Sequence, residues 1–430
     1  MNQPATQVAP APAPKGEPSA ASVPTRTGAA RPSATSTRGT STPAWLTRLR
    51  LGTAVLLVLA AVVATLASLV MWRATDAAAA NTEQLLRAQD IKVGMLRADA
   101  LATNAFLVGG LEPATQRAAY DAALADVNDT LVAAAQAQPA DQAVLAQLSQ
   151  AMADYAQSMT LARANNRQGF PVGAGYLSQA STELRRTGLP MVDALIEAND
   201  ERARSDMTLT AWPWILLAST VAALGLLVAV NRLIAQRFHR RINPGLAAAA
   251  VAVVLGLGAS TVIGFVQSAH SASLRSGSYA TAVAASAARG AGNDAKANES
   301  LRLVARGSGA TYEKKWQAAD DVVVENRFDN QQWQDYASAH AEIVDLDNAG
   351  DWDGAVAAAT TTGNGSASAD FTAFDEQLRN DVQSVGEQTT SGLRGGLTLL
   401  LIGGGLTLVL TLAAAALAWN GITRRLQEYA

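Results

Sequence analysis

Four stretches of the chain are apolar for about twenty residues and carry no Asp, Glu, Lys or Arg: Leu51–Trp72, Trp212–Val230, Leu246–Val266 and Leu397–Trp419. The first, 22 residues between Arg50 and Arg73, would reach about 33 Å as a helix, enough for a bilayer core. Trp45, Trp72, Trp212, Trp214 and Trp419 stand at or near the ends of these runs, where amphipathic rings favour the membrane interface. The pattern predicts four transmembrane helices over 51–72, 212–230, 246–266 and 397–419.

Between the spans the apolar positions fall into three-four spacing, which predicts helices with one buried face. In residues 73–208 the expected stripes are Ala88, Ile91, Met95, Ala98, Ala102 and Ala105; Tyr120, Leu124, Val127, Leu131 and Ala134; Leu145, Leu148, Met152, Tyr155, Met159 and Ala162; and Leu177, Ala180, Leu184, Thr187, Met191, Ala194 and Ala198. Asn165 to Gly175 reads as a loop, and Pro190 and Pro213 should kink the last helix rather than end it.

Residues 267–394 repeat the plan less regularly. Val283 and Ala287 lead to Leu301 and Val304; Trp333, Tyr336, His340 and Ile343 mark a middle helix; Asp351 can cap a short helix from Trp352 to Thr360; Phe371, Phe374, Leu378, Val382 and Val385 lead into the last span. Residues 361–370 read as a loop. An internal echo links the two segments, Asp99-Ala-Leu-Ala-Thr-Asn against Asp294-Ala-Lys-Ala-Asn-Glu, and suggests duplication. The expected fold is an all-α membrane protein, four transmembrane helices carrying two extracytoplasmic four-helix-bundle-like modules in tandem.

Charge sets the expected orientation. Both ends and the short loop 231–244 together hold 12 Lys or Arg against 2 Asp or Glu, whereas the two long segments hold 21 against 34. Basic residues near span ends stay cytoplasmic, so both termini are expected inside a multi-pass cell-membrane protein. The tail 1–44, with eight of the fourteen prolines, should be disordered and a target for phosphorylation or merely solvated. The segment ahead of the first span is too long for a signal-peptide n-region, so that span should remain as an anchor. Uncharged spans argue against a pump or transporter, and the absence of cysteine excludes disulfides and thiolate chemistry.

Candidate chemistry is sparse. His239, His270 and His340 lie far apart in the pattern, with His340 on an apolar stripe, and Asp320-Asp321 and Asp351/Asp353 look like solvated faces and caps. No catalytic site, metal or cofactor is expected, nor a nucleic-acid partner. The basic loop offers Arg237, Phe238, His239, Arg240 and Arg241 and the end segment 420–430 offers Arg424 and Arg425, either to anionic lipid headgroups or to a cytoplasmic protein. Ala252, Gly256, Ser260 and Gly264, with Gly403-Gly404-Gly405, form small-residue faces suited to packing between spans or to homodimerisation. Arg97, Arg117, Arg302 and Arg306 are candidate clamps for a carboxylate ligand.

Membrane helices continuous with helical bundles, and an Asp-Ala-x-Ala…Gly break followed by Arg117 and Tyr120, are similar to the sensor halves of bacterial chemoreceptors and histidine kinases, without their signalling domain. The whole layout of Pro-rich tail, two helical modules, basic inner loop and basic end resembles the actinobacterial GlnX-type four-span signalling proteins. That resemblance implies a relay from an external amino-acid-binding lipoprotein, GlnH, to the soluble serine/threonine kinase PknG. Direct sensing of a small molecule and scaffolding of an envelope complex are the alternatives.

Overall fold

The computed structural model describes residues 42–108, 112–168, 171–208, 211–238 and 242–427. Among them every regular element is helical: α1 (Thr42–Val108), α2 (Ala114–Ala137), α3 (Gln142–Arg167), α4 (Val172–Glu183), α5 (Leu189–Met207), α6 (Ala211–Phe238), α7 (Pro244–Val253), α8 (Ala259–Leu274), α9 (Ala280–Val304), α10 (Ala310–Glu325), α11 (Gln331–Asn348), α12 (Trp352–Thr360), α13 (Ala367–Gly395) and α14 (Leu397–Gln427). π-helical turns at Leu184–Gly188, Val254–Gly258 and Arg275–Tyr279 join α4 to α5 and chain α7, α8 and α9 into one run. The expectation of disorder over residues 1–44 lies almost wholly outside the described residues.

Four helical runs are long and apolar enough to cross a membrane, the mark of a multi-pass membrane protein. Their shared core includes Leu57, Ala64 and Met71 of α1, Leu216 and Leu227 of α6, Val253 of α7 and Leu400 and Ala414 of α14. Ala252, Gly256, Ser260 and Gly264 are all buried here. Ser260 donates to the Gly403 carbonyl at 3.1 Å, and Thr407 donates to the Gly256 carbonyl at 3.1 Å. A Cβ at Gly256 would stand 3.0 Å from Leu410, and one at Gly404 3.1 Å from Ser68. The small residues therefore serve contact between spans of the same chain.

Outside the spans the helices build two halves. In the first, α2, α3, α4 and α5 enclose the distal part of α1, with Ile91, Met95, Leu148, Met152, Met159 and Val192 in the core. In the second, α10 to α13 enclose α9, and the core is aromatic: Trp316, Trp333, Tyr336 and Phe374. The halves are not separate bodies. Leu301 of α9 belongs to the first core and Leu107 of α1 to the second.

Four local expectations need correction. After the π turn at Leu184–Gly188 the buried residues are Val192, Leu195, Asn199, Ala203 and Met207, whereas Thr187 and Ala194 are exposed and Met191 and Ala198 half-buried. A π turn inserts one residue into the helix, which moves the apolar stripe one position onward. Pro190 follows that turn directly, where its missing N–H does not end the helix. Pro213 kinks nothing: α5 closes at Met207, and Pro213 lies in the first turn of α6, where its missing donor has no partner to lose. The expected loop 165–175 is shorter, since α3 runs to Arg167 and α4 starts at Val172. Likewise Ser366 caps α13 by accepting from Ala369 N–H, so helix begins inside the expected 361–370 loop. Asp351 caps α12 as its position predicts, accepting from Gly354 N–H at 2.9 Å.

Candidate functional site in the charged seam between the halves

The helix α9 lies against α1 and is enclosed on nearly all sides, yet it carries Arg289, Asn293, Lys296, Asn298, Glu299 and Arg302 as buried residues. Burying charge is costly unless it is paired and hydrogen-bonded. Each of these ionised groups has its partner, and they belong to three clusters, two along the α1/α9 seam and one inside the second half.

The first cluster pins the halves together. Asp99 of α1 is fully buried and accepts from Tyr155 Oη at 3.1 Å, from Ser181 Oγ at 2.7 Å and from Arg185 Nη1 at 2.5 Å. Arg185, carried in the π turn, also donates through Nη2 to Asp294 of α9 at 2.5 Å. One guanidinium fork thus bridges the two aspartates that the internal echo aligns. Burial disfavours the Arg185 charge, but Asp99 and Asp294 outweigh it and raise its pKa. Burial and the neighbouring Asp99 push the Tyr155 phenol well up, so it stays a neutral donor.

The second cluster lies inside the second half. Glu299 receives Lys296 Nζ at 2.6 Å and His340 Nδ1 at 2.9 Å, while His340 Nε2 lies 3.3 Å from Glu313. Burial works against the Glu299 charge, yet Lys296 and His340 hold its carboxyl down to about 2. With a carboxylate at each nitrogen and Trp316 stacked 4.0 Å away, the His340 ring is held as a double donor. His340 is the core residue its stripe indicates, but ionic rather than apolar.

The third cluster is open. Asp375 of α13 accepts Arg289 Nε at 2.9 Å and Nη2 at 3.3 Å, and Arg97 and Arg379 each approach it at 3.8 Å. These arginines line a cleft of about 510 Å³ between α1, α2, α9 and α13, which Asp90 of α1 and Asp126 of α2 also line. Solvent reaches Asp90 inside the cleft, but the surrounding protein raises its carboxyl pKa by desolvation, with Arg289 and Arg379 opposing.

Of the four candidate arginines, only Arg97 opens into this cleft. Arg117 is half-exposed and pairs with Asp121 one turn on at 2.9 Å. Arg302 is buried against Asp347 at 3.0 Å and Asn348 at 2.7 Å. Arg306 lies over the Trp352 ring at 3.8 Å from its own left-handed turn (φ +32°). Missed in the sequence were Arg185, Arg289, Arg379 and Asp375, which meet only across helices; the one available signal was that Asp99 and Asp294 occupy matching places in the echo.

At the opposite end of the spans, Arg237 is exposed with its guanidinium 5.0 Å from the Trp45 ring, and Arg424 is exposed. Asn243 caps α7 and donates to the Gly421 carbonyl at 2.9 Å, which ties the short loop to the end of α14. His239, Arg240 and Arg241, and the side chains of Phe238 and Arg425, lie outside the described residues. No group of three metal-binding side chains occurs among the described residues.

Residues 74–208, which include all of the first half beyond the span, match the family described as Actinobacterial sensor domain. The match fits an actinobacterial sensor and points to a sensing or signalling role. No curated protein and no solved structure matches the chain.

Proposed function

We propose that this protein is a non-enzymatic transmembrane signalling adaptor, which relays the state of an external amino-acid-binding lipoprotein to a cytoplasmic serine/threonine kinase. The observation that carries it is the continuity of α1. This helix of 67 residues, about 100 Å at 1.5 Å per residue, holds a span at one end and the core of the sensor-matching half at the other. A displacement at the seam therefore moves the far end of the span without any intervening joint. Two packed arrangements of the helices suffice for a signal, provided a partner binds one of them better.

Charge partition supports an orientation with both halves outside and both termini inside. The basic segment around Arg237, Arg240 and Arg241, with Arg424 and Arg425, is then the surface offered to a cytoplasmic protein, and anionic lipid headgroups are its competing partner.

Crosslinking in intact membranes with and without external glutamate, followed by mass spectrometry, tests the relay. Recovery of a solute-binding lipoprotein and a soluble kinase is the expected result, and Arg237→Ala, Arg240→Ala and Arg241→Ala together should abolish kinase recovery while membrane insertion is unchanged. Kinase recovered equally from the triple variant would remove the loop from the account. Recovery of neither partner, where neighbouring membrane proteins do crosslink, would overturn the adaptor in favour of direct sensing or an envelope scaffold.

A further inference from the structure

The 510 Å³ cleft is of ligand size and is not filled by its own charges. Three guanidinium groups converge on the single carboxylate of Asp375. Arg289 takes both of its oxygens, so Arg97 and Arg379 are left at 3.8 Å, with side chains 30% and 42% exposed to the cleft and donors to spare. Asp90, two turns back along α1 from Arg97, and Asp126 of α2 make no side-chain hydrogen bond and no salt bridge among the described residues. Unspent donors and unspent carboxylates thus stand in one enclosure, which suits a small molecule bearing both signs. Gly94 and Gly386 keep the walls close, since a Cβ at either would come within 2.5 Å of Val127 or 2.7 Å of Leu86.

A second cleft tells the same story by contrast. It lies between α1, α5, α9 and α10, and the offset that separates Asp99 from Asp294 also separates Ala123 and Val127, lining the first cleft, from Ala318 and Val322, lining the second. The two clefts are therefore equivalent positions of the repeat. In the second, however, both carboxylates are satisfied internally, Asp193 by Lys92 at 2.7 Å and Asp294 by Arg185, which leaves Lys315 as the one lining charge without a salt bridge among the described residues.

We propose that the cleft between α1, α2, α9 and α13 binds one small zwitterion of the α-amino acid class, its carboxylate on Arg97 and Arg379 and its ammonium towards Asp90 and Asp126. The inference goes beyond the relay and does not depend on a lipoprotein. A molecule seated there touches both halves at once, so its binding energy differs between arrangements of the seam.

Isothermal titration of the full chain in nanodiscs with the proteinogenic L-amino acids, with glutarate (no ammonium) and with 1,4-diaminobutane (no carboxylate) tests it. At least one amino acid should bind at a single site per chain, more tightly than either single-sign probe. Arg379→Ala and Asp90→Asn should each weaken it roughly ten- to a hundredfold, and Arg379→Lys should fall between, because charge without the fork restores only part. Arg186→Ala, at an exposed surface arginine, should leave binding unchanged. Both substituted positions are reached by solvent, so an unchanged melting temperature accompanies the expected result. No heat with any amino acid at millimolar concentration, equal binding of glutarate, or affinity indifferent to both Arg379→Ala and Asp90→Asn would overturn the proposal.

Discussion

The two halves share a plan but differ in what fills them. The first packs methionine and leucine around two buried acids: Asp141, held within that half by Arg202 at 3.0 Å, and Asp99, whose salt-bridge partner Arg185 also reaches the other half. The second packs tryptophan, tyrosine and phenylalanine around Lys296, Glu299, His340, Glu313 and Arg302, a network closed within that half. Methionine cores adapt to shifts that close-fitted aromatic rings resist. The difference teaches that the two cores are held by unlike means, and that Arg185 is a contact through which a change in one half reaches the other.

The comparison breaks most severely at Glu299. Glu299→Gln keeps the shape but leaves the Lys296 ammonium buried without its counter-charge, and should cost about 3–5 kcal/mol of stability, read by chemical unfolding of the full chain in detergent. Hydrogen exchange should then rise across α9 to α13 and much less across α2 to α4. Arg185→Met comes next. It strands Asp99 with only the Tyr155 and Ser181 donors, at about 2–4 kcal/mol, and its signature is raised exchange along α1 and α9 together. Exchange confined to the first half would mean that the Asp294 contact carries no coupling.

The smallest expected effect sharpens the contrast through pH. Burial alone would lower the His340 pKa, but its hydrogen bonds to Glu299 and Glu313 outweigh that and hold it above 6.5. A group with a raised folded-state pKa contributes its stability fully below the unfolded value and loses it as pH climbs through the folded one. The second half should therefore loosen from neutral into mildly alkaline pH. The segment 73–208 contains no histidine and should stay flat through the same window. Hydrogen exchange across that range separates the two, and His340→Gln should remove the dependence.

The helices and most of their buried faces were legible because each depends on local spacing: Leu145 to Ala162 and Trp333 to Ile343 are buried as their stripes predict. The stripe beyond Leu184 was not, because a π turn changes register without any residue that marks it. The seam was the harder part. Arg185 is 86 residues from Asp99 and 109 from Asp294, and Arg289 is 86 from Asp375. In a one-dimensional pattern such residues look like ordinary surface charges, as Arg97, Arg117, Arg302 and Arg306 did alike. Only packing divides them into one cleft residue, one surface pair, one buried ion pair and one ring contact.

The repeat offset shared by the two clefts has an evolutionary consequence. In a symmetric pair of identical chains every substitution appears twice, and an arginine near the axis meets its own copy. Here the two echoing segments lie in one chain, so Gly94 and Arg289, which the offset of the echo aligns, can differ. Selection can then set the charges of each cleft separately, a freedom that a homodimer encoded by a single sequence does not have.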